Sequence, residues 1–131
     1  MKIIRFEDIE AWKEARKLVN NVYDLTDKLL FKKDFGLREQ IQRASVSCMS
    51  NIAEGFDGDS NQQFIQFLFY TRRSGSEVQS QLYVALDRKY ITQTEFEKVY
   101  EQAKKVGKLT NGFIRYLKQP VNRLTGKQEK L

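Results

Sequence analysis

Four stretches of the chain repeat apolar residues at helical spacing, with short polar breaks between them. In the first, about residues 8–31, Trp12, Ala15, Val19, Val22 and Leu29 form a seam that Ala11, Leu18 and Leu25 widen. Asp8 stands at its N-cap position. After the break at Lys32-Lys33-Asp34-Phe35-Gly36, the second stretch, about 36–54, sets Leu37, Ile41, Ala44, Cys48 and Ile52 on one face. Gly55 is placed as a left-handed C-cap. Ser60 with Gln63, and Thr92 with Glu95, are capping-box pairs opening the third and fourth stretches, about 60–90 and 93–119. The third seam, Phe64, Leu68, Thr71, Gly75, Val78, Leu82 and Ala85, is a strict heptad. So is the fourth, from Phe96 and Val99 through Ala103, Val106, Thr110 and Phe113 to Leu117. No segment alternates apolar and polar residues as a strand would. Helices of similar length joined by short loops predict an all-α protein, an antiparallel up-down-up-down four-helix bundle over 1–120. Pro120 closes the fourth helix, and 121–131 reads as a polar tail outside the bundle.

Composition narrows the chemistry. A chain of 131 residues, 40% hydrophobic and 31% charged, fits one globular domain. It holds neither a signal-peptide core nor a run long enough to cross a membrane, so no membrane partner is expected. A single cysteine allows no disulfide within the chain and points to the cytoplasm. There is no histidine, which removes imidazole acid–base catalysis and imidazole metal ligation. One cysteine cannot build a CxxC zinc site, and no glycine-rich phosphate loop occurs. The chain is therefore expected to be no enzyme and to use no cofactor, metal or small-molecule substrate. Cys48, on an apolar seam, reads as a small core hydrophobe.

Charge singles out one region. The net charge is +6, and residues 92–131 carry nine basic against four acidic side chains. Lys104, Lys108, Arg115 and Lys118 share one face of the fourth helix, with Asn111 completing the spacing. That face reads either as a phosphate-tracking stripe or as a solvated face complementing the helix dipole. Arg72-Arg73 is a weaker second candidate. The run Phe64-Ile65-Gln66-Phe67-Leu68-Phe69-Tyr70 is too apolar for a single core stripe. Phe64, Phe67, Phe69 and Tyr70 are therefore expected at an oligomer interface, with a base-stacking platform as the alternative. Arg43, Ser47, Asn51 and Glu54 form a polar line on the second helix, read as a hydrogen-bonded network to a neighbouring helix more readily than as a ligand surface. The antiparallel register about the Asp57-Gly58 turn brings Arg43 near Ser74 and Glu77, and Arg43 is expected to pair with Glu77. The register about Ile91 sets Gly75 opposite Gly107, as expected for a close helix crossing.

The second helix also carries a resemblance. Gly36-Leu37, Gln40-Ile41, Arg43-Ala44, Ser47 and Asn51-Ile52-Ala53-Glu54-Gly55 resemble the signature of the 23S rRNA intervening-sequence proteins, roughly G-L-x-x-Q-I-R-R-A-x-x-S-I-x-x-N-I-A-E-G. Asp8-Ile9-Glu10-Ala11-Trp12, Phe64, Phe67, Leu68, Ser74, Glu77, Leu86 and Tyr90-Ile91 are similar to flanking parts of the family, so that the likeness covers about residues 6–118. Gln42, Cys48 and Lys89 depart from it, standing where the family usually has Arg, Ile and Gly. The resemblance implies a four-helix bundle, a homopentamer and no catalytic activity. It also implies a distant likeness to the basic pentameric accessory protein of diversity-generating retroelements, which works with nucleic acid. Together these readings lead to an oligomeric binding module for RNA or other nucleic acid. The alternative is a structural adaptor that recruits a protein.

Overall fold

The computed structural model describes residues 3–120; residues 1–2 and the expected tail, 121–131, lie outside the described residues. Four long helices form the body: α1 (Glu10–Thr26), α3 (Phe35–Phe56), α4 (Asn61–Asp87) and α5 (Gln93–Lys118). A single 3₁₀ turn (Phe6–Asp8) precedes α1, and a short helix α2 (Leu29–Lys33) joins α1 to α3. Helix α1 packs on α3 and α5, and α4 packs on the same two from the other side. This closes the antiparallel four-helix bundle, and no strand occurs among the described residues.

The seams of α3, α4 and α5 are buried as the periodicity predicts, including every heptad position from Phe64 to Ala85 and from Phe96 to Leu117. Full burial of each large apolar side chain contributes about 1.5–3 kcal/mol relative to exposure. Thr92 caps α5 as expected: its hydroxyl accepts from Glu95 N at 3.1 Å, and Glu95 Oε1 accepts from Thr92 N at 2.8 Å. Ser60 caps α4 through Gln63 N at 3.1 Å, but the Gln63 side chain reaches back to Asp59 N rather than to Ser60.

The first predicted helix is broken. Asp27 ends α1, Lys28 is extended, and α2 starts afresh at Leu29. Phe31 takes the core position, fully buried at 5.3 Å from the Tyr90 ring, while Leu29 of the expected seam is 73% exposed. Three ties hold the corner. Lys28 Nζ meets Glu95 Oε1, Tyr90 donates its hydroxyl to Asp34 Oδ2 at 2.9 Å, and Asp34 Oδ1 caps α3 by accepting from Leu37 N. Asp8 caps no helix. It lies in the 3₁₀ turn and accepts from Arg5 N, and Ile9 precedes α1 without a side-chain cap.

Gly55 is not a C-cap, because α3 continues through it to Phe56. Its missing side chain makes room for α4: a Cβ there would stand 2.8 Å from Phe67 Cβ and 2.8 Å from Phe64 Cδ1. The glycine ending Asn51-Ile52-Ala53-Glu54-Gly55 is thus a packing requirement between two helices.

Candidate nucleic-acid interface

Helical spacing puts Lys104, Lys108, Arg115 and Lys118 along one exposed face of α5, with Asn111 among them. Helix α4 lies alongside and adds Arg72. The Arg72 guanidinium donates to Asn111 Oδ1 at 3.0 Å and sits 4.8 Å from the centre of the Phe69 ring, which Lys118 Nζ also approaches to 5.6 Å. Arg72 is therefore held in place on the edge shared by α4 and α5. Arg73 is exposed and does not line the groove between these helices.

Among the described residues, no carboxylate pairs with Arg72, Lys104, Lys108, Arg115 or Lys118. Lys105, next along α5, contrasts with them. Its Nζ lies 3.2 Å from Glu14 Oε1, which Lys17 also approaches to 3.2 Å, and Gln102 Nε2 donates to Glu14 Oε2 at 2.6 Å. Burial pushes the Glu14 carboxyl up, but the bonds from Gln102, Lys17 and Lys105 outweigh it and hold the group below its usual 4.5. The acidic partner absorbs the cations facing α1 and leaves those on the α4–α5 edge as net positive charge. Their ammonium and guanidinium groups can neutralise phosphates spaced along a backbone.

Between α4 and α5 this edge holds a groove of about 210 Å³, bordered by Arg72, Lys104 and Lys108 and floored by Gly75, Ala103 and Gly107. Both glycines of the expected crossing line the groove, but a Cβ on either would not come within 4 Å of the other. A Cβ on Gly75 would meet the Ala103 carbonyl oxygen at 3.9 Å, one turn away from Gly107, and a Cβ on Gly107 would meet nothing within 4 Å. Gly75 has backbone packed over it, whereas Gly107 leaves open space.

Arg43 does not pair with Glu77. It is exposed and bonds Glu39 one turn back in α3 at 2.5 Å. The cause is its direction: Arg43 and Ser47 border a shallow depression beside Tyr23 of α1, on the side of α3 away from α4. Glu77 is exposed and accepts from Gln81 at 3.4 Å. Asn51 donates to Ser47 O at 2.9 Å within the same helix, Glu54 is exposed, and Ser74 is half-buried. The polar line makes no bond between helices. Bonds that do cross to α3 include Gln42 Nε2 to Thr26 Oγ1 at 2.9 Å, Thr71 Oγ1 to Cys48 O at 3.1 Å and the Cys48 thiol to Thr71 O at 3.7 Å. Cys48 itself is buried, and desolvation, aided by the charge of Glu77, pushes its thiol up to about 12.

The aromatic run on α4 is largely consumed within one chain. Phe64 is fully buried between Phe56 and Phe113, so it belongs to the core and offers nothing to a second copy. Phe67 packs edge-on with Tyr70 at 5.7 Å and over Gly55, and Phe69 is half-buried beneath Arg72 and Lys118. Tyr70 alone of the four is exposed, at 37%. The larger exposed apolar surface lies where sequence reasoning missed it, around α2, with Leu29 73%, Leu30 55% and Phe35 68% exposed.

An antiparallel helical bundle defines the class, an all-α protein, and its α4–α5 edge carries cations that no described carboxylate pairs. The sequence model of the 23S rRNA-intervening sequence proteins matches residues 7–112, and the chain belongs to that family. A solved structure of a protein of unknown function from the S23 ribosomal protein family of Bacteroides thetaiotaomicron shares the fold, with a TM-score of 0.75 at 23% identity. The superposition covers 80% of this chain and 98% of that one. No curated protein sequence matches the chain. No helix among the described residues is long and apolar enough to cross a membrane.

Proposed function

We propose that this chain is a non-enzymatic, oligomeric binding module of the cytoplasm that associates with structured RNA through the α4–α5 edge. The observation that carries the reading is the set Arg72, Lys104, Lys108, Arg115 and Lys118, aligned along one edge and unpaired by any described carboxylate. Surface cations left unpaired gain by neutralising phosphates, through a contact that reads charge and not sequence. Membership of a family described by 23S rRNA intervening sequences favours RNA as the polyanion. Assembly of several copies would multiply the edge, and a homopentamer is the form that the family resemblance implies. The exposed corner of Leu29, Leu30 and Phe35 is the surface such assembly would cover.

The same corner favours a second reading, an adaptor whose body recruits another protein and binds no nucleic acid. Fluorescence anisotropy with a labelled structured RNA separates the two. Changing Lys104, Lys108 and Arg115 together to Gln weakens binding at physiological salt if the edge is the site. Absence of binding by the unaltered protein leaves the adaptor reading standing, and light scattering at the mass of one 15.5 kDa subunit removes the oligomer.

A further inference from the structure

Gly107 stands inside α5 with nothing within 4 Å of the side chain it lacks. A glycine in a helix interior costs about 1 kcal/mol relative to alanine, and no neighbouring atom here requires it. Gly107 lies on the floor of the α4–α5 groove, beneath the cations of the proposed RNA edge. Any side chain at this position would intrude on the groove.

The borders of the groove supply a specific set of partners. Arg72, Lys104 and Lys108 are donors only, suited to phosphate oxygens. Ser76, Gln79 and Asn111 are neutral and offer both donors and acceptors, which a phosphate does not need and a base edge does. No carboxylate borders the groove. Arg72 is already fixed by Asn111 and Phe69, so its guanidinium plane needs little ordering before a base can stack on it. At about 210 Å³ the groove falls short of the ~300–1,000 Å³ of sites that enclose a whole small ligand. It fits one unit of a longer ligand whose remainder stays outside.

We infer that the α4–α5 groove receives a single unpaired nucleotide of the bound RNA, its base over Gly107 against Arg72 and its phosphates on Lys104 and Lys108. The inference rests on the RNA reading above and adds a preference to it. In an A-form duplex the bases are stacked and paired, so only backbone reaches the edge, whereas a bulge or loop base can enter.

The test compares two hairpins of equal charge, each closed by a non-nucleotide linker so that no loop base is free, one with a fully paired stem and one with a single bulged 2-aminopurine. Each is titrated with wild-type protein and with the Gly107→Leu variant. Wild type is expected to bind the bulged hairpin about tenfold tighter, within the range that one stacked base contributes, and to change the 2-aminopurine fluorescence. Gly107→Leu fills the groove and leaves every cation of the edge in the chain. It is expected to melt no lower than wild type, to bind the paired hairpin as before and to lose the preference. Ser76→Leu, entering from the α4 side, gives the same loss by an independent route. Equal wild-type affinity for the two hairpins overturns this inference and leaves the RNA reading intact, as does a preference that survives both variants. Failure to bind either hairpin overturns both.

Discussion

Gly55 and Gly107 allow the same chemical change to be made with opposite expected signs. At Gly55 an alanine methyl would lie 2.8 Å from Phe67 Cβ and 2.8 Å from Phe64 Cδ1. The Phe64 ring is fully buried between Phe56 and Phe113, and Phe67 Cβ is bonded directly to the α4 backbone. Neither can swing aside, so the whole N-terminal part of α4 must shift. Overpacking of this kind costs about 1–3 kcal/mol, and the better helix propensity of alanine offsets at most about 1 kcal/mol of it. Gly55→Ala should therefore destabilise by about 1–2 kcal/mol, a loss of roughly 4–8 °C in Tm for a domain of this size. At Gly107 nothing stands within 4 Å, so Gly107→Ala should gain up to about 1 kcal/mol. Thermal melts followed by circular dichroism, with urea titrations for the free energies, measure both on one protein preparation. A Gly55→Ala variant as stable as wild type, or a Gly107→Ala variant less stable, refutes the packing argument.

Two further predictions follow from helix ends and from the carboxylate on α1. Lys89 adopts φ 63° in a Schellman turn that closes α4, with Tyr90 N donating to Ala85 O and Lys89 N to Leu86 O, both at 2.9 Å. An L-residue pays about 1–2 kcal/mol in the left-handed region, so Lys89→Gly should raise stability by about 1 kcal/mol, and a lower urea midpoint would contradict this. The folded Glu14 carboxyl titrates below its usual 4.5, so its contribution is fully present above pH 4.5 and is lost as pH falls through the folded value. The stability difference between wild type and Glu14→Gln should accordingly be largest near neutrality and shrink as pH falls below 4.5. A difference that does not change with pH would contradict the network around Glu14.

The legible parts of the molecule were those fixed by local pattern. Helices α4 and α5 show strict heptads with a single face to bury, and Thr92 with Glu95 is a cap that closes within four residues. The break at Asp27 and Lys28 carries no glycine or proline and was invisible. What ends α1 there is the burial of Phe31 against Tyr90, a contact between residues far apart in the chain. Gly55 looked like a helix stop because its purpose depends on Phe64 and Phe67 of the next helix. Phe64 and Arg43 were misplaced for the same reason, since helical spacing groups residues on a face without saying which neighbour that face meets. At the candidate interface, the α5 stripe could be read from spacing, but the part played by Arg72 depended on the register of α4 against α5. Lys104 and Lys105 look equivalent in sequence, and only the position of Glu14 pairs one and leaves the other free.

Phosphate-driven binding is tested most directly by the salt dependence of RNA affinity. The logarithm of the association constant for a structured RNA is measured against the logarithm of salt concentration. With about three to five of the edge cations each meeting a phosphate, the slope should lie between roughly −2 and −4.5. It should flatten when Lys104, Lys108 and Arg115 are changed to Gln. A slope near zero, or one the triple variant leaves unchanged, would contradict the assignment of RNA binding to the α4–α5 edge.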